Sequence, residues 1–438
     1  MLFASLRNKF VRDTATLQVS GGLNQISGIC SSILIAFLLG AVGQGRFAVA
    51  VVLQGLFYNL INVGSVQATV SQLASASSRG LTDKVSSWMA YLAKFYLLFN
   101  GLLILIGWLC LPSLAERWYG DRELGVLAAW LCLWPILDTP RAVVFAAFQG
   151  TRRMLLLAQL ENGHELMRVF LVSSGAVITG SVQGAVLGEI AARVLASALA
   201  VGMYARARGG GGGSELPPLA RVLRDMARTP LRRGMPLSLR VGMLKNVNTL
   251  FLHIFPRLLL GGTAGMAWVA YFHVAQRIMG LPMMLMQGVS RTMLPALSEL
   301  SGLKDRTRFR ALYKRSTWTA GCLISAGILL CLPLIQPLVR MVYPDDYAAP
   351  VLRYAAILAL GFVPMSFAVG LESFYIVTGQ LRVSILLSIL GCAVTVPANF
   401  FLIRALPESG AVWGLVVYMS WVLVHFGYIA WYFRHDRP

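Results

Sequence analysis

The chain has 438 residues, of which 57% are hydrophobic and only 13% are charged, and its formal net charge is +20. Its mean hydropathy is +0.68, and a soluble globular chain carries about twice this charged fraction. The composition therefore excludes an ordinary soluble protein and predicts an all-α polytopic membrane protein. Because the basic residues lie in loops that flank apolar stretches, they indicate membrane orientation, and no nucleic-acid partner is expected.

The Lys and Arg residues are concentrated in a few short clusters, at 7–12, 79–84, 152–153, 206–233 and 291–315. The clusters fall at every second gap between apolar stretches, each of which is long enough to cross a bilayer core of roughly 30 Å. Loops rich in Lys and Arg stay on the cytoplasmic side. The pattern therefore predicts a multi-pass protein with both termini in the cytoplasm. The basic N-terminal segment does not have the pattern of a cleaved signal peptide.

The apolar stretches predict twelve transmembrane helices in two six-helix bundles. The predicted spans are 15–40, 46–70, 86–112, 123–148, 154–181, 184–204, 236–261, 264–290, 314–340, 349–377, 381–406 and 409–433. The bundles are predicted at 1–204 and 236–438, and a glycine-rich, basic linker at 205–235 joins them. Within this linker, 219–228 is predicted to form a short basic helix on the inner membrane surface. No soluble loop is long enough to fold into a catalytic domain, so we do not expect an enzyme.

Short motifs recur in the same order in the two halves and predict an internal duplication. They are Leu-Cys-Leu-Pro at 109–112 and 330–333, Leu-Leu-Gly at 38–40 and 259–261, a Pro and Gly pair at 135 and 150 and again at 364 and 379, and Gly-Ala-Val-x-Gly at 184–188 and 410–414. Because an even number of spans returns the chain to its starting side, both bundles would insert with the same orientation. Parallel repeats of this kind build transporters whose substrate path lies between the halves.

Several motifs carry a family resemblance. Met293–Ser298 leaves the eighth predicted span before a basic loop, Val342–Tyr347 precedes the tenth, and glycine pairs open the sixth and the twelfth. With these features the chain resembles the multidrug/oligosaccharidyl-lipid/polysaccharide (MOP) exporter superfamily. Within it, the chain is most similar to the polysaccharide-biosynthesis flippases of the O-antigen type. The resemblance implies twelve helices in two bundles.

The resemblance also implies a function. Such flippases move a polyprenyl-pyrophosphate-linked oligosaccharide across the bacterial inner membrane by alternating access, for surface polysaccharide biosynthesis. The lipid tail would stay among the membrane lipids, and entry of H⁺ or Na⁺ would drive the bundles between inward and outward states. Multidrug exporters of the same superfamily bind organic cations, so a drug or organic-cation antiporter is the alternative. A membrane glycosyl polymerase or ligase would need a large outside loop, which this chain lacks.

The fifth predicted span carries four ionisable residues on one helical face: Glu161, His164, Glu165 and Arg168. A charged face inside an apolar span cannot point at lipid. In a structural interpretation, Glu161 pairs with His164 and Glu165 pairs with Arg168 along the helix. In a functional interpretation, the face lines a central cavity and binds protons or a headgroup, with His164 as the pH-responsive member. Both interpretations stay open at this point.

Other spans also carry charges. In the fourth span Asp138 and Arg141 are spaced to pair beside Pro140, which can kink the helix. In the sixth span Glu189 and Arg193 are spaced to pair one turn apart. Structural pairing is the simpler interpretation of both. Asp138 nevertheless stays a candidate coupling acid, and Arg141 a candidate for binding an anionic substrate.

The seventh span has bases without an acid nearby in sequence. Lys245 lies roughly 13 Å deep at about 1.5 Å per residue, whereas snorkelling accounts for Arg240 and Arg257. A deep cation needs an anion, such as a pyrophosphate or Glu372 of the tenth span. Because the first span has no charge, the chain favours an anionic substrate over an organic cation. The candidate substrate-binding residues are Lys245, Arg240, Arg141 and Arg168, and the candidate ion-coupling residues are Glu161, His164, Glu165, Asp138 and Glu372.

The six cysteines all lie inside apolar stretches. None is spaced as a metal site or a disulfide framework. They are interpreted as small buried apolar residues. No metal and no cofactor is expected.

Overall fold

The computed structural model describes residues 2–61, 64–77, 79–209, 216–284, 286, 289–290, 293, 297, 300 and 305–435. The side chains at 2–15, 17–18, 233, 237 and 240–245 also lie outside this description. The described residues form helices and connecting turns, without a strand. The chain divides into two compact units, one that ends at Leu250 and a second that begins at Phe251.

The helices of the first unit are α1 (Leu2–Ile61), α2 (Ser65–Ser77), α3 (Thr82–Tyr119), α4 (Arg122–Leu131), α5 (Trp134–Leu137), α6 (Thr139–Gly150), α7 (Met154–Thr179), α8 (Val182–Gly209), α9 (Leu219–Arg228) and α10 (Met235–Thr249). The helices of the second unit are α11 (Phe255–Thr263), α12 (Met266–Gly280), α13 (Arg306–Val342), α14 (Ala348–Ser366), α15 (Leu371–Val377), α16 (Leu381–Ala405), α17 (Gly410–Ser420) and α18 (Val422–His435). A π-helical turn, Leu250–Ile254, precedes α11.

The prediction of an all-α, multi-pass membrane protein is confirmed. Seven helices in the described residues are long and apolar enough to cross a membrane, or eight if the bent pair Arg122–Leu137 and Thr139–Gly150 forms one span. One of the seven is a 43-residue stretch, Val19–Ile61, which contains a break at Gly40 with φ 65° and ψ −179°. The first predicted span ends at that glycine. The count of twelve spans stays a prediction.

The glycine pairs of the recurring Gly-Ala-Val-x-Gly motif have matching roles in the two units. In the first unit, a Cβ at Gly184 or Gly188 of α8 would collide with backbone atoms of α7. In the second, a Cβ at Gly410 or Gly414 of α17 would collide with atoms of α16. Glycine is therefore needed where each of these helices crosses its predecessor at close range. The duplication itself stays a prediction.

Loops that were predicted to lie outside meet at one end of the first unit. Arg46, in the second half of α1, is 2.9 Å from Asp121 and 2.9 Å from Glu123, which flank the start of α4. Gln183, at the start of α8, donates to Glu123 at 2.9 Å. These contacts are consistent with the predicted alternation of loops.

Basic loops that were predicted to lie inside form another group of contacts in the first unit. Arg153, before α7, donates to the backbone oxygen of Ala207 near the end of α8, at 3.0 Å. Arg221 of α9 binds Asp83 of α3 at 2.7 Å. The predicted short helix at 219–228 is confirmed as α9. It packs on the beginning of α3. We call this part of the first unit its basic end.

Helix α10 packs within the first unit. Asn246 and Asn59 of α1 exchange two hydrogen bonds, each from a side-chain amide to the other residue's backbone oxygen, at 2.7 and 2.8 Å. Near the start of α10, Ser238 shares a 3.0 Å hydrogen bond with Tyr91 of α3. The boundary between the two units thus falls after α10, whereas the predicted second bundle begins at 236. The organisation into two six-helix bundles stays a prediction.

Candidate functional site

The charged face of α7 contains a bidentate ion pair. The Arg168 guanidinium donates to both carboxylate oxygens of Glu165, at 2.8 and 2.6 Å. The two side chains are only 13% and 16% exposed. The predicted i, i+3 pair therefore forms, and its fork geometry satisfies both oxygens of one carboxylate.

A second pair on α8 extends this arrangement. Glu189 accepts from Arg193 at 2.6 Å, as its i, i+4 spacing predicts, and its second oxygen lies 3.7 Å from Arg168. The Arg193 guanidinium also stacks 4.0 Å from the ring centre of Trp134 on α5. The pairs of α7 and α8 are thus joined, and both partners of the α8 pair are buried.

The third pair lies at a helix break. Leu137 ends α5, Thr139 begins α6, and the bend between the two flanking segments is 46°. Pro140 has no backbone N–H, so one hydrogen bond of a continuous helix cannot form at this break. Ser197 of α8 donates to the backbone oxygen of Leu137 at 2.8 Å. The predicted kink is confirmed.

At this break Arg141 donates to both oxygens of Asp138, at 2.6 Å each. The predicted pairing of the two residues is therefore confirmed. Asp138 is buried, so its pairing is required to keep a charge in an apolar span. Tyr58 and Tyr96, which share a 3.2 Å hydrogen bond, lie within electrostatic range of Arg141.

His164 occupies the middle of this arrangement. It is buried, and its Nε2 atom has no hydrogen-bond partner. Arg141, Arg168 and Arg193 all lie within electrostatic range of its ring. The Glu161–His164 pair of the structural interpretation stays a prediction. We call the residues of these pairs, together with His164, the charged network: Asp138, Arg141, His164, Glu165, Arg168, Glu189 and Arg193.

The second unit contains a basic residue, Arg257, whose described partner is an amide and not a carboxylate. Pro256 cannot donate to the backbone oxygen of Leu252, and the side chain of Gln276 donates to that oxygen instead, at 2.9 Å. The Gln276 amide oxygen in turn accepts from Arg257 at 2.7 Å. Arg257 therefore points into the protein, bound by an amide, and does not snorkel. Its Nε is buried without a partner, and Arg277 lies within electrostatic range.

Some predicted site residues fall elsewhere. The side chains of Lys245 and Arg240 lie outside the described residues, although the backbone of α10 is described. Glu372 of α15 is exposed, and the structure gives it no ion pair with a described residue. The predicted roles of these residues stay predictions.

Sequence reasoning missed the residues that join the network across helices. The spacing of Glu189 and Arg193 predicts their own pairing, but no local signal places Glu189 against Arg168. Trp134 carries no sequence signal for a contact with Arg193. Gln276 was missed as well, and Pro256 is the signal that could have found it, since a proline frees a backbone oxygen four residues earlier.

Among the described residues, no group of three or more His, Cys, Asp and Glu side chains is placed to hold a metal ion. The cysteines are free thiols.

Two family models match the chain. One, described as polysaccharide biosynthesis protein, matches residues 10–301, which is more than half of the chain. The chain belongs to this family. A second model, MatE, matches residues 243–401. No curated protein matches the chain in sequence.

Solved structures share the fold of this member of the polysaccharide biosynthesis family. The lipid II flippase MurJ in an inward closed conformation is 12% identical with a TM-score of 0.68, over 94% of this chain and 87% of that chain. The eukaryotic MATE transporter AtDTX14 is 16% identical with a TM-score of 0.65, over 96% of each chain. A MOP superfamily transporter from Pyrococcus furiosus is 14% identical with a TM-score of 0.61, over 96% and 94%. Together with the two family models, these matches confirm the resemblance to the MOP superfamily.

Proposed function

We propose that the protein is a flippase that moves a polyprenyl-pyrophosphate-linked oligosaccharide across the bacterial inner membrane. Arg257 is the observation that carries this proposal. It is a partly buried cation whose described partner is an amide and not a carboxylate. A cation in an apolar span needs an anion, and a pyrophosphate matches the fork of a guanidinium. Membership of the polysaccharide biosynthesis family supports a lipid-linked sugar as the rest of the substrate.

The pairing of acids in the first unit supports an anionic substrate as well. Asp138, Glu165 and Glu189 are each bound to an arginine at 2.6 Å. A carboxylate that is occupied by a guanidinium has little capacity left to attract an organic cation. Arg141 and Arg168 stay candidates for contact with the pyrophosphate, because each guanidinium has five N–H donors and its carboxylate partner takes two of them. Lys245 and Arg240 on α10 stay candidates as bases of the seventh predicted span.

An antiporter for drugs or organic cations is the alternative. The MatE model matches part of the chain, and MATE transporters share its fold. The fold does not fix the charge of the substrate: for the Pyrococcus furiosus transporter, a reversed polarity of the binding pocket suggests a different function. In this chain, the pairing of the acids of the charged network with arginines and the bond of Arg257 to an amide favour the flippase.

Ion coupling is proposed to involve His164. Its imidazole is a titratable group inside the charged network, on the same face of α7 as Glu161. Asp138 and Glu165 are weaker candidates because arginines occupy them. Glu372 is a weaker candidate because it is exposed. Entry of H⁺ or Na⁺ would then drive the units between inward and outward states, with no enzymatic step and no cofactor.

Deletion of the gene tests the proposed function. The strain should accumulate lipid-linked oligosaccharide on the inner leaflet and lose surface polysaccharide, and the wild-type chain should restore export. Normal surface polysaccharide with raised sensitivity to cationic dyes would instead support the antiporter. Reporter fusions after Arg208 should read cytoplasmic and fusions after Asp345 periplasmic, as the predicted topology requires.

A further inference from the structure

A cavity of about 310 Å³ lies at the basic end of the first unit. No member of the charged network lines it. Its volume is at the lower end of the range of ligand pockets, about 300–1,000 Å³. The residues that line it are Gln72, Lys84, Ser87, Trp88, Tyr91 and Thr229.

The lining is built mainly from one face of α3. Lys84, Ser87, Trp88 and Tyr91 follow the i, i+3, i+4, i+7 spacing that places side chains on a single side of a helix. Helix α2 contributes Gln72 to the lining, and the segment that follows α9 contributes Thr229. A hydrogen bond holds the segment after α9 against α3: Lys94 of α3 donates to the backbone oxygen of Thr229 at 3.1 Å.

Two free polar groups of the cavity, the Lys84 ammonium and the Trp88 indole N–H, are hydrogen-bond donors only. Lys84 and Trp88 have no hydrogen bond or ion pair with another described side chain, and neither has Gln72. Tyr91, in contrast, is already bonded to Ser238 at 3.0 Å. The ammonium and the indole N–H can only donate. The cavity therefore presents a positive charge and N–H groups, and no acidic side chain lines it.

The acid beside Lys84 in sequence and the acid of α9 are bound by other residues. Asp83, beside it in sequence, is bound by Arg221 at 2.7 Å. Asp225 of α9 accepts a hydrogen bond from Ser86 at 2.6 Å and lies 3.8 Å from Arg221. Lys84 is thus left as an exposed cation at the cavity without a counter-ion among the described residues.

We propose that this cavity binds a phosphate-bearing headgroup, with the Lys84 ammonium and the Trp88 indole N–H donating to its phosphate oxygens. The Gln72 amide is a third donor. The Ser87 hydroxyl donates to the backbone oxygen of Asp83 at 3.0 Å, so its oxygen is left to accept a hydrogen bond from the rest of the headgroup. The same chemistry would recognise the phosphate of an anionic phospholipid or free inorganic phosphate. The proposal is independent of the transported substrate.

The test uses the purified full chain after removal of bound lipid. Native mass spectrometry measures the affinity for phosphatidylglycerol and for a diacylglycerol with the same acyl chains, which lacks the phosphate. We expect phosphatidylglycerol to bind more tightly. Lys84→Gln should weaken it by roughly 10-fold or more, since a charge-assisted hydrogen bond is lost. Trp88→Phe keeps the ring but loses the N–H, and should weaken it by a smaller factor of about 2–10.

Arg224→Gln is the matched control. Arg224 is an exposed base on α9 that does not line the cavity, so its removal should leave the affinity unchanged. Addition of inorganic phosphate distinguishes the two sources of the ligand. If phosphate lowers the binding of phosphatidylglycerol, free phosphate also enters the site. If it does not, the site is specific for the lipid. The proposal is overturned if the wild-type chain does not distinguish the two lipids. It is overturned equally if Lys84→Gln behaves like the wild type or like Arg224→Gln.

Discussion

The guanidinium of Arg168 lies 3.7 Å from the carboxylate of Glu189, and this contact joins an ion pair of α7 to an ion pair of α8. Each residue also has a partner on its own helix, Glu165 for Arg168 and Arg193 for Glu189. Because all four side chains are largely buried, loss of one leaves another charge in an apolar environment without its partner. The network therefore ties the stability of two helices together.

We expect Glu189→Gln to lower the stability of the protein by about 3 kcal/mol or more, because it removes one partner of a buried pair. Glu123→Gln is the control, since Glu123 pairs with Arg46 but is 55% exposed. An exposed pair contributes about 0–1 kcal/mol. Thermal unfolding in detergent measures both changes. Equal losses in the two variants would show that burial of the Glu189 pair does not matter.

The tight crossing of α7 and α8 gives a second prediction. Gly188→Ala should cost about 1–3 kcal/mol, because the added Cβ would collide with the backbone of Leu171. Gly202→Ala, on the same helix, meets no atom within 4 Å. It should be neutral or stabilise the helix by up to about 1 kcal/mol. Protein yield and thermal unfolding measure the difference, and a Gly188→Ala variant as stable as Gly202→Ala would contradict the prediction.

The sequence predicts contacts that depend on residue spacing along one helix, but not contacts that depend on how helices pack against each other. Pairs on one helix, such as Glu165 with Arg168, follow from the α-helical repeat, and the break at Pro140 follows from its missing N–H. The glycine pairs were found as a recurring motif. Which neighbour each glycine faces depends on tertiary packing, so the contact of Gly188 with Leu171 was not predictable.

The packing of α10 and the direction of the Arg257 side chain also depend on tertiary contacts that the sequence does not reveal. Apolarity locates α10 as part of the seventh predicted span but does not say which unit it packs against. That is decided by the reciprocal hydrogen bonds of Asn246 with Asn59. The sequence likewise shows that Arg257 has no acid nearby in the chain, and it predicts snorkelling for this residue. Its direction is set by Gln276, a residue of another helix that binds the carbonyl oxygen freed by Pro256.

The coupling proposal predicts that His164→Gln changes the pH dependence of transport. Glutamine keeps a polar side chain at the position but, unlike an imidazole, cannot bind a proton anywhere in an assay range of pH 5 to 8. The charged groups in electrostatic range of the ring are Arg168 on its own helix, Arg141 on α6 and Arg193 on α8. Transport is measured across this pH range at equal membrane abundance. A lower yield with an unchanged pH profile would mean that His164 is structural.

Lys245 is predicted to contribute a positive charge to an anionic headgroup. Lys245→Ala should lower affinity roughly 10- to 150-fold, which corresponds to about 1.5–3 kcal/mol for a charge-assisted hydrogen bond. Lys245→Arg should retain part of the activity, because the charge survives while its geometry changes. Lys245→Glu should be worst, because it repels phosphate. Normal export of surface polysaccharide by Lys245→Glu, at equal membrane abundance, would remove Lys245 from the binding site.

Arg257 gives the most direct test of an anionic substrate, because its side chain is placed by the structure. Arg257→Gln removes the charge and should lower export by roughly 10-fold or more. Arg257→Lys should retain part of it, since a compact ammonium replaces the planar fork. Arg353→Gln is the matched control in the same unit: Arg353 is 49% exposed and paired with Glu408 at 2.8 Å.

Surface polysaccharide is compared with inner-leaflet lipid-linked intermediate in cells that carry equal amounts of each variant. Gln276→Leu separates positioning from binding, because it leaves the charge of Arg257 intact but removes its 2.7 Å contact. A partial loss of export in this variant, between those of wild type and Arg257→Gln, is expected if Gln276 holds the guanidinium toward the substrate. The same export from Arg257→Gln as from Arg353→Gln would exclude Arg257 as the anion-binding residue, because loss of any surface charge would then have the same effect.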